Sequence, residues 1–168
     1  MIKKLLLAAA LAVPMLASSQ SLKIGIVDVQ GIFQVMPDTD EAQKKLAEVS
    51  KKYEDEYEKL QEEMKRRYDE IQAMPEDELQ AIKERKYKDF QEYQQKVAMF
   101  EQSATQDLQK VQQDLIAPIY TKINNAVQSV GQEGNYSLIE INDPQVILYY
   151  GAPVEDITPQ VKAKLGVN

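Results

Sequence analysis

The chain has 168 residues and a net charge of −7, and it contains neither cysteine nor histidine. It therefore lacks the residues of disulfides, of Ser-His-Asp or Cys-His nucleophile pairs and of nearly all zinc sites. The acidic balance argues against nucleic-acid binding through phosphate neutralisation. There is no Gly-rich phosphate loop, and the carboxylates are spread along predicted helices as solvated charge. The composition favours a non-enzymatic protein without a cofactor or a metal.

Residues 1–19 have the features of a secretory signal peptide. Two lysines precede an apolar run at residues 5–16, and small residues follow at 17–19. A membrane-spanning helix needs about 20 apolar residues, and Pro14 interrupts this shorter run. We therefore predict export, with cleavage near Ser19. Loss of the two lysines changes the net charge from −7 to −9.

Residues 22–29 are rich in β-branched residues and predict a strand with Leu22, Ile24 and Ile26 on one face. A short helical segment follows and ends at Pro37.

A long helix is predicted from residue 38 to about residue 74. Asp38 resembles an N-cap, and Glu41 three residues later completes a capping-box pattern. Apolar or aromatic residues recur in three copies of an eleven-residue unit, at 42/46/49, 53/57/60 and 64/68/71. An eleven-residue repeat keeps such a stripe nearly straight along the helix.

Pro75 stops this helix and suits the first turn of a second one. The second helix repeats at the same interval, at 93/97/100 and 104/108/111. Two helices with matching narrow stripes predict an antiparallel hairpin, about 50 Å long at 1.5 Å per residue.

Beyond the hairpin the chain is expected to return to a small body. Pro118 is expected to kink or restart the helix, which then ends near Gly131 and Gly134. Residues 136–141 and 146–150 predict a β-hairpin around an Asn-Asp-Pro turn. A last helix is expected to start at Thr158 and Pro159 and to end at Gly166.

The predicted fold class is α+β, with a small β-strand body and a long inserted antiparallel helical hairpin arm. The body comprises residues 20–37 and 118–168, and the arm comprises residues 38–117. A body of this size without disulfides is marginal alone, so its apolar strands are expected to oligomerise. The residues assigned to this contact are Ile24, Ile26, Leu138, Ile139, Ile141, Val146 and Leu148.

The arm exposes much surface, which suits an interaction surface better than a catalytic cleft. Its candidate binding residues are tyrosines of the seam and one methionine near the tip: Tyr53, Tyr57, Tyr68, Met74, Tyr87 and Tyr93. A second feature is a basic girdle near the tip, formed by Lys65, Arg66, Arg67, Lys83, Arg85, Lys86 and Lys88. The girdle predicts contact with anionic partners or a weak membrane-surface contact. The favoured alternative is ordinary solvated charge, because residues 65–88 hold seven positive and six negative side chains.

Several motifs in this order resemble the OmpH/Skp family of periplasmic outer-membrane-protein chaperones. They are KIGIVD at 23–28, GIFQ at 31–34, FEQ at 100–102, INNAV at 123–127, YSLI at 136–139 and VEDIT at 154–158. The resemblance implies a periplasmic homotrimer with a barrel-like core of strands and three arms around a cavity. It implies an ATP-independent holdase that shields unfolded outer-membrane β-barrel proteins.

The charge departs from this family, whose familiar members are basic. A trimer of the mature chain would carry about −27, three times its −9, which argues against electrostatic capture of acidic clients. Two alternatives remain. One is a scaffold whose arm docks a fixed folded partner. The other is a carboxylate-based enzyme that would use body residues such as Asp28, Glu140 or Asp143.

Overall fold

The computed structural model describes residues 22–167 as four helices and three short strands. The predicted signal peptide, at 1–19, lies outside these residues. The elements in chain order are β1 (Ile24–Val27), α1 (Val29–Val35), α2 (Pro37–Gln72), α3 (Gln80–Glu133), β2 (Leu138–Ile141), β3 (Val154–Asp156) and α4 (Thr158–Leu165). The chain is thus mostly helical with a small three-stranded sheet, as expected.

The sheet has the order β2-β1-β3, and both outer strands run parallel to β1. Ile24 lies opposite Leu138 on one side and Val154 on the other. The predicted β-hairpin is therefore wrong, since residues 146–150 form no strand and β2 and β3 lie on opposite sides of β1. A tight turn can join only antiparallel strands.

A turn follows β2, as the sequence predicts, but it does not lead into an antiparallel strand. The Asp143 carboxylate accepts a hydrogen bond from the Gln145 amide at 2.8 Å, and the Asp143 carbonyl accepts from Ile147 at 2.7 Å. This local closure does not return the chain against β2. The chain instead reaches β3 only after twelve further residues, 142–153.

The core lies between the sheet, α1, the last third of α3, and α4. Its centre is formed by Ile32, Ile123, Ile157 and Val161, whose exposed fraction is zero. These residues come from three separate parts of the chain, α1, α3 and the start of α4, and Val27 of β1 belongs to the same cluster, so the core joins these helices to the sheet.

The helices α2 and α3 pack side by side in opposite directions. Tyr53 contacts Phe100 with ring centroids 6.1 Å apart, and Tyr68 contacts Phe90 at 6.0 Å. The predicted stripe residues are buried or half-buried along this contact, except for Tyr68, which is 49% exposed. At about 1.5 Å per residue, α2 is about 54 Å long, so most of this pair extends beyond the core.

The helix ends differ from the predictions in detail. The N-cap of α2 is Met36, with Pro37 in the first turn, and Asp38 instead forms an ion pair with Lys122 of α3. Pro75 lies in the connection before α3, which begins only at Gln80.

The helix α3 continues through Pro118 without restarting. Proline removes one backbone hydrogen bond from a helix, but buried residues directly after it, Ile119 and Ile123, hold the helix against the core. No helix among residues 22–167 is both long enough and apolar enough to cross a membrane.

Candidate functional site

An aromatic groove lies midway along the α2–α3 pair. It has a volume of about 320 Å³ and is lined by Ser50, Tyr53, Glu54, Tyr57, Phe100, Glu101, Ala104, Thr105 and Leu108. The eleven-residue repeat places Ala104 at a seam position on α3, across from the tyrosines of α2. Its small side chain leaves the space that a larger residue would fill.

The Tyr53 ring is held in place at its polar end. Its hydroxyl donates a hydrogen bond to the Asp107 carboxylate at 3.0 Å. This hydrogen bond and partial loss of solvation raise the pKa of Tyr53. The phenol therefore stays neutral, and its ring forms a fixed wall of the groove.

The other predicted binding residues are spread toward the tip. Tyr68 and Tyr87 are 49% and 52% exposed, and Met74 is half-buried in the connection before α3. Tyr93 lies beneath the Arg67 guanidinium, 4.4 Å from the ring centroid, so its face is already occupied. Only Tyr53 and Tyr57 lie together in one groove.

Three residues outside the predicted binding set add apolar surface to the α2–α3 pair. Phe100, which the sequence predicts only as a seam residue, also lines the groove. Met99 and Leu79 are 71% and 67% exposed. Met99 does not belong to the eleven-residue repeat, and this position off the stripe already indicates that its side chain faces away from the seam.

The basic girdle is largely neutralised by neighbouring groups. Arg66 and Arg67 both pair with Glu63, at 2.7 and 2.8 Å, and Arg66 also pairs with Glu70. The remaining contacts are Lys65–Asp69, Lys86–Glu70 and Lys88–Glu92, and Lys83 donates to the Glu76 carbonyl. Within residues 22–167, Arg85 alone of the seven has no such contact. This geometry favours ordinary solvated charge over an anion-binding surface.

The Glu63 carboxylate is the centre of this network. Its hydrogen bond from Arg66, followed by the one from Arg67, lowers its pKa to about 2, although partial burial acts in the opposite direction. A hydrogen bond from Lys86 likewise lowers the pKa of Glu70. Because Lys86 is on α3 and Glu70 on α2, 2.6 Å apart, the network also joins the two helices.

The residues assigned to oligomerisation fall into two groups. Ile26 is only 2% exposed, Ile24 is half-buried in β1, and Ile139 packs against the chain's own core. Leu138, Ile141, Val146 and Leu148 are exposed by 47%, 58%, 75% and 90%. Tyr149 adjoins this second group and is 87% exposed. Residues 146–149 together with the outer edge of β2 thus form an exposed apolar surface.

The carboxylates considered for catalysis have structural roles or stand apart. Asp28 caps α1 by accepting a hydrogen bond from the Gly31 amide at 2.7 Å, and Asp143 closes the turn described above. Glu140 is exposed on β2. No group of acidic residues within 22–167 is arranged to hold a metal ion.

A second groove, of about 660 Å³, lies between the end of α3, α4 and β1. The Tyr136 hydroxyl donates to Glu155 at 2.6 Å, and Lys23 pairs with the same carboxylate at 3.4 Å. The first of these contacts contributes most to lowering the pKa of Glu155. The polar groups satisfy one another and tie β1 to β3.

Fold and surface together define a class: a small parallel sheet that carries one long antiparallel helical pair with outward-facing aromatic residues. Residues 23–165 match the family described as outer membrane protein (OmpH-like). The chain belongs to this family, and the resemblance noted in the sequence is confirmed.

The structure is also similar to a crystal structure, at 2.83 Å resolution, described as an OmpH-like outer membrane chaperone from Caulobacter crescentus CB15. The TM-score is 0.71 at 15% sequence identity, and the match covers 85% of this chain and 83% of that one. At this identity the similarity concerns the fold alone. None of the curated protein sequences compared with the chain matches it.

Proposed function

We propose that this protein is an ATP-independent holdase of the periplasm that binds unfolded outer-membrane proteins and keeps them from aggregating. The observation that carries the proposal is the aromatic surface of the α2–α3 pair, which lies outside the core and is open to solvent. Membership of the OmpH-like family and the fold shared with an OmpH-like chaperone support it.

The contacts available on this surface are weak one at a time. Tyr57 is half-buried, and Tyr68 and Tyr87 are about half exposed, so each offers a ring that an unfolded chain can contact without displacing the seam. Several such contacts on one chain add through effective concentration. Release needs no nucleotide, because a folded barrel no longer presents its unfolded segments.

We further propose that the active form is a homotrimer, with the arm (residues 38–117) projecting from a shared barrel-like core. The exposed apolar side chains of Ile141, Val146 and Leu148 support this, since several large apolar residues exposed in one short segment are typical of an interaction surface. The outer edges of β2 and β3 are likewise unpaired among the described residues.

The proposal is tested by aggregation of a urea-unfolded outer-membrane barrel protein on dilution. Deletion of residues 50–105 removes 23 residues of α2, the connection, and 26 residues of α3, and we expect a folded oligomer that no longer protects the client. A full-length variant, Tyr57→Ser with Tyr68→Ser and Tyr87→Ser, should keep its helix content but lose most of its ability to prevent aggregation of the client. A deletion variant that still protects clients would contradict the proposal.

A further inference from the structure

We propose that the aromatic groove selects unfolded segments in which an aromatic side chain neighbours a lysine or arginine. This inference rests on the proposed function and specifies its client class. The family resemblance implied basic arms that hold acidic clients. The groove of this chain has the opposite charge.

The groove combines an aromatic floor with acidic rims. Tyr53, Tyr57 and Phe100 supply three rings, while Glu54 on α2 and Glu101 on α3 line the two sides. Within the described residues 22–167, neither rim carboxylate lies within 4 Å of a lysine or arginine nitrogen. Neither carboxylate is thus held in an ion pair, unlike most charges of the basic girdle, and Lys51, which also lies near Glu54, is itself paired with Asp55.

The surrounding sequence reinforces this charge. Residues 50–63 of α2 carry six acidic side chains and three lysines, a net charge of −3 (3 − 6), and Glu101 and Asp107 lie on the facing part of α3. Lys51 is paired with Asp55 and Lys59 with Glu56. A cation that enters the groove meets a carboxylate from each helix, which attracts it, and an aromatic ring whose face is accessible adds to this attraction.

The size of the groove limits what it can hold. Its α2 side runs from Ser50 to Tyr57, about 10 Å along the helix axis. An extended chain advances about 3.3 Å per residue, so about three residues lie along the groove at once. One aromatic side chain can occupy the floor while a basic residue next to it, or two positions away, reaches Glu54 or Glu101.

The inference is tested with two labelled peptides of fifteen residues, five repeats of Tyr-Ser-Lys and five repeats of Tyr-Ser-Glu, added to the full mature chain. At about 20 mM salt we expect the lysine peptide to bind about tenfold tighter than the glutamate peptide, as two exposed ion pairs allow. At about 300 mM salt the preference should shrink, because screening shortens the range of the charges.

Variants assign the preference to the groove. Glu54→Gln with Glu101→Gln should remove most of the preference. The control variant, Glu41→Gln with Glu140→Gln, changes the net charge by the same amount on exposed residues outside the groove. It should keep the preference for the lysine peptide. An equal loss of preference in both variants would overturn the inference, since the net charge of the chain would then explain the preference.

The aromatic part of the inference is tested with a third peptide, five repeats of Ser-Ser-Lys. It should bind at least fivefold more weakly than the Tyr-Ser-Lys peptide, and equal binding of the two lysine peptides would also overturn the inference.

Aggregation of an unfolded barrel protein, measured in parallel, separates this inference from the proposed function. A chain that protects the client but binds both tyrosine peptides equally refutes the inference and leaves the holdase intact. A chain that prefers the lysine peptide through Glu54 and Glu101 but leaves the client to aggregate supports the groove's selectivity and refutes the holdase.

Discussion

At the scale of single residues, Glu63 links charge to the stability of the outer α2–α3 pair. Its pKa of about 2 lies below the ordinary value of 4.5, because it accepts hydrogen bonds from Arg66 and Arg67. A lowered pKa means that the charged form is favoured by folding. Its contribution to stability is therefore present above about pH 4.5 and is lost as the pH falls toward about 2.

Glu63→Gln should accordingly reduce the acid sensitivity of the protein. Thermal melting followed by circular dichroism should show a smaller fall in midpoint between about pH 5 and pH 2 than in the wild type. Glu62→Gln is the matched control, since Glu62 is an exposed neighbour on the same helix. If the two variants lose stability with acid in the same way as the wild type, Glu63 has no special role.

The core residue Ile123 should matter far more for stability. Its side chain is completely buried among residues of α1, α3 and α4. Ile123→Ala should lower the free energy of unfolding by about 2–5 kcal/mol, because it removes buried methyl groups and leaves a cavity. Urea titration measures this value, and Met99→Ala, at a 71% exposed position, should cost less than about 0.5 kcal/mol. Similar costs for the two variants would contradict the packing described.

At the scale of elements, α3 tolerates Pro118 but should be weaker there. Proline is less favourable than alanine by about 3 kcal/mol inside a helix, although its rigidity in the unfolded chain offsets part of this. Pro118→Ala should therefore raise the free energy of unfolding, by about 1 kcal/mol or more. The control variant, Ala117→Gly, should change the free energy of unfolding in the opposite direction and lower it. A destabilised Pro118→Ala protein would mean that the proline is needed for a local bend.

The helices could be predicted from the sequence because their signals are local and repeated. An eleven-residue spacing over three copies specifies one face of α2, and Ile71 and Leu60 are buried as that face requires. Helix ends were less accurate, since Met36 caps α2 through its backbone conformation and has no side-chain hydrogen bond. A cap formed by the backbone alone requires no particular side chain, so the sequence instead pointed to Asp38, a residue type that commonly caps helices.

The strands were harder because their pairing is not local. Residues 146–150 are apolar and β-prone, which favoured a hairpin, yet their side chains are mostly exposed and β3 is a three-residue strand with two charged residues, Glu155 and Asp156. The Tyr53–Asp107 and Lys86–Glu70 contacts depend on which residues of α2 face α3. The other ion pairs of the girdle join residues three or four apart on one helix, so the sequence already places them within reach. The repeat places Ala104 on the seam of α3, but the register between the two helices, which brings it into one groove with Tyr53 and Tyr57, follows from packing.

At the scale of the whole molecule, the exposed apolar surface of residues 146–149 and β2 is the expected contact between copies. Leu148→Asp with Ile141→Asp places two charges on it, and burying unpaired charge is costly. Native mass spectrometry should show a smaller assembly for this variant, while circular dichroism shows unchanged helix content. Met99→Asp, exposed on the α2–α3 pair, should leave the assembly unchanged. An unaltered mass in the double variant would place the contact elsewhere.

The central claim is that an oligomer of this chain holds an unfolded client in solution. The most direct measurement is the native mass of the mature chain, alone and after addition of a urea-unfolded outer-membrane barrel protein. We expect a trimer that gains the mass of one client and keeps it soluble. A monomer, or an oligomer that gains no mass while the client aggregates, would contradict the holdase and favour a scaffold that docks a fixed folded partner.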